Sequence, residues 1–297
     1  MSEATPYRGR FAPSPSGSLH FGSLVAALGS YLQARSQQGL WQVRIEDIDP
    51  PREVQGAASD ILQTLQAYGL HWDGEVIYQS NNSHSYEQVL SQWSAQQRCY
   101  ACACTRKMIQ QAGGLYRGVC RDKQLPEKDH ALRINLHDIT HAVEHFEDLL
   151  QGHIRLNPLQ AREDFIIKRR DGLYAYNLAV VLDDISQGIT EVVRGADLLY
   201  TTGKQLTLYR LLNKKPPAYL HLPVAVTAPG KKLSKQNHAL AISKDNPLPT
   251  LLAALAFLGH PVPQQLHQTS CSIILAWAIQ NWSLEKLPKR TEIQIKN

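Results

Sequence analysis

A chain of 297 residues is enough for one large α/β domain with appendages or for two modest domains. Hydrophobic residues make up 43% and charged residues 19%, an ordinary globular balance, and no run approaches the roughly 20 apolar residues that cross a bilayer. A net charge of +5 and a pI of 8.9 suit a polyanionic partner without requiring one. The opening MSEATPYRGR lacks the apolar core of a signal peptide, so a cytoplasmic protein with no membrane role is expected.

In chain order, GRFAP predicts a short strand running into a loop. SLVAALGSYLQARSQQ places Leu24, Leu28, Tyr31 and Leu32 at helical spacing, with Gly39 as the predicted stop. WQVRIED alternates like a strand, and ASDILQTLQAYGL predicts an amphipathic helix ending at Gly69. Strand and helix in alternation imply a parallel sheet with crossovers. Over residues 99–161 the periodicity weakens and cysteines, glycines and histidines collect, as in an insertion. DFIIKRR, YNLAVVLDD and EVVRGADLL then resume the alternation, YNLAVVLDD reading as an apolar strand closed by Asp183 and Asp184. Acids in that place are usually structural, so both are left outside the expected site. From residue 216 a Pro–Pro break leads into the lysine-rich loop APGKKLSKQ, followed by helical segments.

Two of these segments carry chemistry. APSPSGSLHFGS joins a strand to a helix. Its Gly17 and Gly22 let backbone approach a ligand, the helix N-terminus offers free N–H groups to phosphate, and His20 adds an imidazole donor. In KKLSKQ, three lysines on a flexible loop can swing onto a triphosphate and stabilise the charge that builds on departing pyrophosphate. Either segment alone is commonplace. Together, as HFGS and KLSKQ in this order, they resemble the paired HIGH and KMSKS signatures of class I aminoacyl-tRNA synthetases. Ser23 stands where the second histidine of the first signature is usual, a substitution common among the glutamate-type members.

RFAPSPSG, RIEDIDPPR, YNLAVVLDD and VVRGADLL extend the resemblance to glutamyl-tRNA synthetases over residues 8–237. It implies a Rossmann-type doubly wound parallel sheet with a zinc-binding insertion and a small helical C-terminal domain. The implied division is 1–98 and 162–215 for the two catalytic halves, 99–161 for the insertion, and 216–297 for the KLSKQ loop and helical domain. It further implies an L-glutamate pocket made by Arg10, Phe11, Ala12, Pro13, Ser14, Glu46, Tyr176 and Arg194. Arg10 would meet the side-chain carboxylate and Glu46 the α-ammonium. A dianionic amino acid calls for two guanidiniums, and its ammonium for a carboxylate. ATP, expected with Mg2+, would meet His20, Gly22, Lys232, Ser234 and Lys235, with His20 and Lys235 catalytic and the Gly195–Ala196 backbone near adenine.

Four of the five cysteines, Cys99, Cys102, Cys104 and Cys120, fall close together, which in a cytosolic enzyme points to metal rather than disulfides. Cys102, Cys104 and Cys120 supply three ligands, and Cys99, Tyr116, His130 or water the fourth. Relatives that carry this insertion use a tyrosine, which corresponds to Tyr116, so one structural Zn2+ on Cys102, Cys104, Tyr116 and Cys120 is implied.

The segment beyond Lys235 is long enough for a few helices but not for the anticodon-reading domain of standard glutamyl-tRNA synthetases. The chain therefore resembles a truncated branch that transfers glutamate to queuosine at the wobble position of tRNA(Asp). The implied partner is the anticodon stem-loop, gripped by basic residues such as Arg169, Arg170, Lys214 and Lys215, and the implied state is a monomer. Conventional charging of a tRNA 3′ end is the alternative. A non-catalytic paralogue would be expected to have lost one motif, and a cofactor-making nucleotidyltransferase would lack the Arg10, Glu46, Tyr176 and Arg194 set.

Overall fold

The computed structural model describes residues 6–233 and 240–295. It begins with β1 (Arg8–Phe11), α1 (Phe21–Ser36), β2 (Leu40–Ile45), α2 (Ala57–Ala67), β3 (Ile77–Tyr78) and α3 (Ser83–Ala95). β1 runs parallel to β2, with Phe11 opposite Val43, and β2 runs parallel to β3. Next come β4 (Cys99–Cys102), α4 (Arg106–Gln111), β5 (Ala131–Ile134), β6 (His145–Asp148), β7 (Gly152–Arg155), α5 (Pro158–Ala161) and β8 (Ile166–Lys168). β4, β5 and β8 form an antiparallel sheet, and β6 and β7 form a hairpin.

The α/β alternation returns with α6 (Tyr176–Ser186), β9 (Glu191–Gly195), α7 (Thr202–Leu211) and β10 (Ala218–Leu222). β9 and β10 are parallel, and β9 lies beside β1, where the Thr190 N–H donates to the Arg8 carbonyl at 2.9 Å. Side by side the strands therefore run β3, β2, β1, β9, β10, the two-halved order of doubly wound nucleotide-binding folds. This is the α/β architecture that the sequence implies. Beyond it lie β11 (Val224–Ala228), β12 (Lys231–Lys232), α8 (Leu248–Phe257), α9 (Cys271–Asn281) and β13 (Glu292–Gln294), with β13 parallel to β11.

α1 is the hub of the core. Leu24, Leu28, Tyr31 and Leu32 are buried as expected, but so are Val25, Ala27, Ser30 and Gln33, because sheet, α8 and α9 pack around the helix. Leu251, Leu255, Ile274 and Leu275 of α8 and α9 belong to the same cluster as α1. A second cluster joins α3, the β4–β5–β8 sheet and α6, and it contains Cys99.

Two expectations are corrected. YNLAVVLDD is not a strand but most of α6. A short apolar run buried nearly all round has no readable period, so strand and helix look alike in sequence. Gly39 does not stop α1: the left-handed residue is Gln38, with φ of 52°. Gly39 is instead a point of close approach, since a Cβ there would stand 2.7 Å from the Tyr7 carbonyl oxygen.

Candidate active site

The C-terminal ends of β1 and β9, the residue that follows β2, and the N-terminal ends of α1 and α6 surround a cavity of about 360 Å³. Its lining includes Arg10, Phe11, Ala12, Pro13, Ser14, His20, Gly22, Glu46, Tyr176, Arg194, Gly195 and Lys232. A second cavity, of about 270 Å³, shares Ser14, Ser16 and Glu46 with the first and leads to Asp49, Arg52 and Glu53.

Beneath the first cavity lies a buried charge network. Arg10 donates from Nε and Nη2 to the two carboxylate oxygens of Asp184, at 3.1 and 3.4 Å. Arg44, fully buried, donates to Asp184 and to the Gln187 side chain, both at 2.8 Å. Asp183 accepts from Gln79, Asn82 and Tyr86. Burial alone would raise the Asp184 carboxyl, yet Arg10 and Arg44 outweigh it and hold that carboxyl below the usual range.

Glu46 is different. Its residue is only 8% exposed, and its Oε1 has no hydrogen-bond partner among the described residues. Its nearest cation is Arg44 Nη2, at 3.5 Å. Burial pushes its carboxyl up to about 7, against the pull of Arg44 and Arg10. On the other wall, Arg194 donates to the Tyr176 hydroxyl at 3.4 Å, to Thr202 Oγ1 at 2.8 Å and to His221 Nε2 at 3.1 Å.

The phosphate side is built on α1. His20 is its N-cap, with extended backbone, and its Nδ1 accepts the Ser23 N–H at 3.3 Å. That acceptance places the ring proton on Nε2. The lysine-rich segment reaches the same place. The Leu233 N–H donates to Ala225, and beyond the loop Ala241 bridges to His20 while the Ile242 N–H donates to Leu19. Lys232 is ion-paired with Asp197 at 2.5 Å. Ser234 and Lys235 lie outside the described residues.

Away from this cavity, Cys102, Cys104 and Cys120 gather with all three Sγ atoms within 4.8 Å of one another, Cys104 and Cys120 being 3.6 Å apart. Tyr116 is buried in the same cluster, and its hydroxyl accepts the Cys120 N–H at 3.1 Å. Arg133 donates to Cys102 Sγ at 3.3 Å and stacks over the Tyr116 ring. The spacing suits three thiolates on one tetrahedral zinc, for which sulfurs at about 2.3 Å from the metal are needed.

A family model described as the catalytic domain of class I tRNA synthetases (E and Q) matches residues 7–269. Glutamyl-Q tRNA(Asp) synthetase of Photobacterium profundum is 57% identical over 293 residues, spanning 99% of this chain and 94% of its own length. The chain belongs to the glutamyl-Q tRNA(Asp) synthetase family. Another relative of that name, from Serratia proteamaculans, is 56% identical over 289 residues, covering 97% of this chain and 94% of the relative. Among solved structures, the glutamate-tRNA synthetase of Elizabethkingia anophelis matches with a TM-score of 0.78 at 23% identity, covering 98% of this chain and 68% of that one. A glutamate tRNA ligase from Elizabethkingia meningosepticum matches with a TM-score of 0.76 at 22% identity, and this chain spans 66% of it. At such identity these structures speak for the fold alone. As a member of the glutamyl-Q tRNA(Asp) synthetase family, the chain is a ligase of aminoacyl-tRNA synthetase type.

The fold of this family thus brings the first signature segment, Lys232 and Leu233 at the start of the second, and the glutamate-type residues to one cavity. Ala196, placed near adenine by resemblance, is buried and is not among the lining residues, whereas Gly195 is. Sequence reading did not single out Arg44, Asp148 or His221. Arg44 sits in RIEDIDPPR, on a strand whose alternation sets it with Gln42 on the polar face, so its full burial had no local signal. Asp148 and His221 had none either, since residues far apart in the chain meet only through β6 and β10.

Proposed function

We propose that the protein activates L-glutamate with ATP as glutamyl-adenylate, without needing tRNA for that step, and then transfers the glutamyl group to the queuosine at the wobble position of tRNA(Asp). The observation that carries this reading is a single cavity lined by two guanidiniums, Arg10 and Arg194, and by the nine-tenths buried Glu46, beside His20 and the α1 N-terminus.

Arg10, held in orientation by Asp184, takes the side-chain carboxylate of glutamate, and Arg194 with Tyr176 lines the opposite wall. The substrate ammonium supplies the hydrogen-bond donor that Glu46 Oε1 lacks. An α-carboxylate oxygen then forms a bond to the α-phosphorus of ATP as the bond to pyrophosphate breaks. The carboxylate is already ionised, so no base is needed, and the residues have only to position the two substrates and stabilise the charge of the leaving pyrophosphate. His20 Nε2–H and the α1 N–H groups, with Lys232, Ser234 and Lys235, are suited to that task, and ATP enters with Mg2+ on its phosphates. In the second step the queuosine hydroxyl oxygen bonds to the glutamyl carbonyl carbon as the bond from that carbon to the phosphate oxygen breaks, and AMP leaves with the electron pair, its phosphate taking up the hydroxyl proton.

Cys102, Cys104, Cys120 and Tyr116 would hold one zinc. Held by four protein groups, such an ion would supply structure to the β4–β5 sheet rather than chemistry. The enzyme works as a cytoplasmic monomer in this reading, and no helix among the described residues is long and apolar enough to cross a membrane.

Transfer of labelled glutamate to tRNA(Asp) from ordinary cells and from cells unable to make queuosine tests the proposal. Label should reach only the queuosine-containing tRNA and should persist when the 3′-terminal adenosine is removed. Label that depends on the 3′ end and ignores queuosine would make the protein a conventional charging enzyme.

A further inference from the structure

Arg194 is oriented by two residues that do not line the cavity. His221 on β10 and Asp148 at the end of β6 are both fully buried in their side chains, with His221 Nδ1 and Asp148 Oδ2 only 2.6 Å apart. The proton positions follow from chemistry. A guanidinium can only donate, so His221 Nε2, 3.1 Å from Arg194 Nε, must be an acceptor. The ring proton therefore sits on Nδ1 and points at Asp148. The other Asp148 oxygen accepts the backbone N–H groups of Leu150, Gln151 and His221, at 3.0, 2.8 and 3.3 Å. The carboxylate is fixed by backbone, the imidazole by the carboxylate, and the guanidinium by the imidazole.

We propose that Asp148 and His221 are positioning residues for glutamate binding: they lock the Nδ1–H tautomer whose free Nε2 lone pair aims the Arg194 guanidinium into the cavity. The proposal rests on the reading of Arg194 as a substrate-carboxylate ligand. The groups facing His221 are Asp148 from β6, Arg194 from β9, Tyr219 stacked alongside at 6.0 Å, Thr202 from the start of α7, and the Asp197 charge. Burial, helped by Arg194, lowers the imidazole pKa and outweighs the Asp148 carboxylate, so His221 stays neutral near neutral pH. The hairpin β6–β7, none of whose residues lines the cavity, thereby acquires a role in substrate affinity.

Asp148→Asn separates this role from simple packing. Three backbone donors hold the amide oxygen where Oδ1 stood, so the amide nitrogen must face His221 Nδ1. The ring is forced to the Nε2–H tautomer, and two N–H groups then oppose each other at Arg194. ATP–pyrophosphate exchange should show KM for glutamate raised about tenfold or more, while kcat and KM for ATP stay within about threefold. His221→Gln, which keeps an acceptor near Arg194, should remain closer to wild type than His221→Asn, which keeps only the Asp148 contact.

Long-range proton–nitrogen NMR of ring-labelled wild-type protein should show His221 as neutral Nδ1–H between pH 6 and 8. Arg194→Ala serves as the reference. If it leaves KM for glutamate unchanged, the functional reading of Arg194 fails. If it raises KM while folded Asp148→Asn does not, the positioning role alone fails. An Nε2–H or charged ring in the wild type, or variants that lose all parameters in proportion to lost folded protein, overturns it equally.

Discussion

Glu46 is buried with an oxygen that accepts no hydrogen bond among the described residues and stands 3.5 Å from the Arg44 guanidinium, an arrangement that costs stability. Between the ordinary carboxylate range and about 7, the folded state holds a proton that the unfolded state has released, so stability falls as pH rises through that window and levels off above it. In the proposed reading, bound glutamate would reverse the preference, because its ammonium favours the ionised form. Binding should therefore release a proton near neutrality, and KM for glutamate in pyrophosphate exchange should fall as pH rises from about 6 to 8. Glu46→Gln should bind glutamate weakly and lose this pH dependence, while being at least as heat-stable as wild type at pH 8. A wild-type KM that is flat with pH would remove Glu46 from the ammonium site.

At the level of elements, the β4–β5–β8 sheet buries a modest apolar cluster on α3 and α6, and the turn carrying Cys104, Tyr116 and Cys120 has little core of its own. Small units of this kind usually need a metal or disulfides to hold together. Protein purified without chelator should contain about one zinc per chain, and Cys102→Ser should lose most of it along with several degrees of melting temperature. Full metal content in that variant would exclude Cys102 as a ligand. The pairing of α1 with β10 depends on contact of another sort. A Cβ at Gly29 would stand 2.3 Å from Leu222 Cδ1, so a larger residue there would require the Leu222 side chain to move.

At the scale of the molecule, every proposed amino-acid ligand comes from this chain and is already assembled around the cavity. Glutamate-dependent pyrophosphate exchange should therefore run without RNA at a rate that added tRNA changes little. Exchange that appears only after tRNA is added would mean that the pocket is completed by the nucleic acid. The basic residues expected to hold RNA phosphates are not equivalent. Lys214 and Lys215 are exposed, whereas Arg169 already pairs with Asp49 and Asp171, and Arg170 donates to the Asp129 carbonyl. Transfer to tRNA should weaken as salt rises, and Lys214→Ala with Lys215→Ala should reduce the salt dependence more than Arg169→Ala does.

The sequence by itself determined the chemistry-bearing segments. HFGS, KLSKQ, Glu46 in RIEDIDPPR, and Arg194 in VVRGADLL are short stretches legible by residue type and spacing, and His20, Glu46, Arg194 and Lys232 among them line one cavity. The same holds for the cysteine cluster, whose three thiols lie close in the chain. Only the tertiary structure decided that YNLAVVLDD is a helix, since burial on all sides erases its period. It alone gave Asp184 its place under Arg10, made His20 a helix cap, and brought Asp148 to His221 across 73 positions. Those roles depend on which strands lie side by side, and a pairing between distant residues leaves no trace in the pattern of either one.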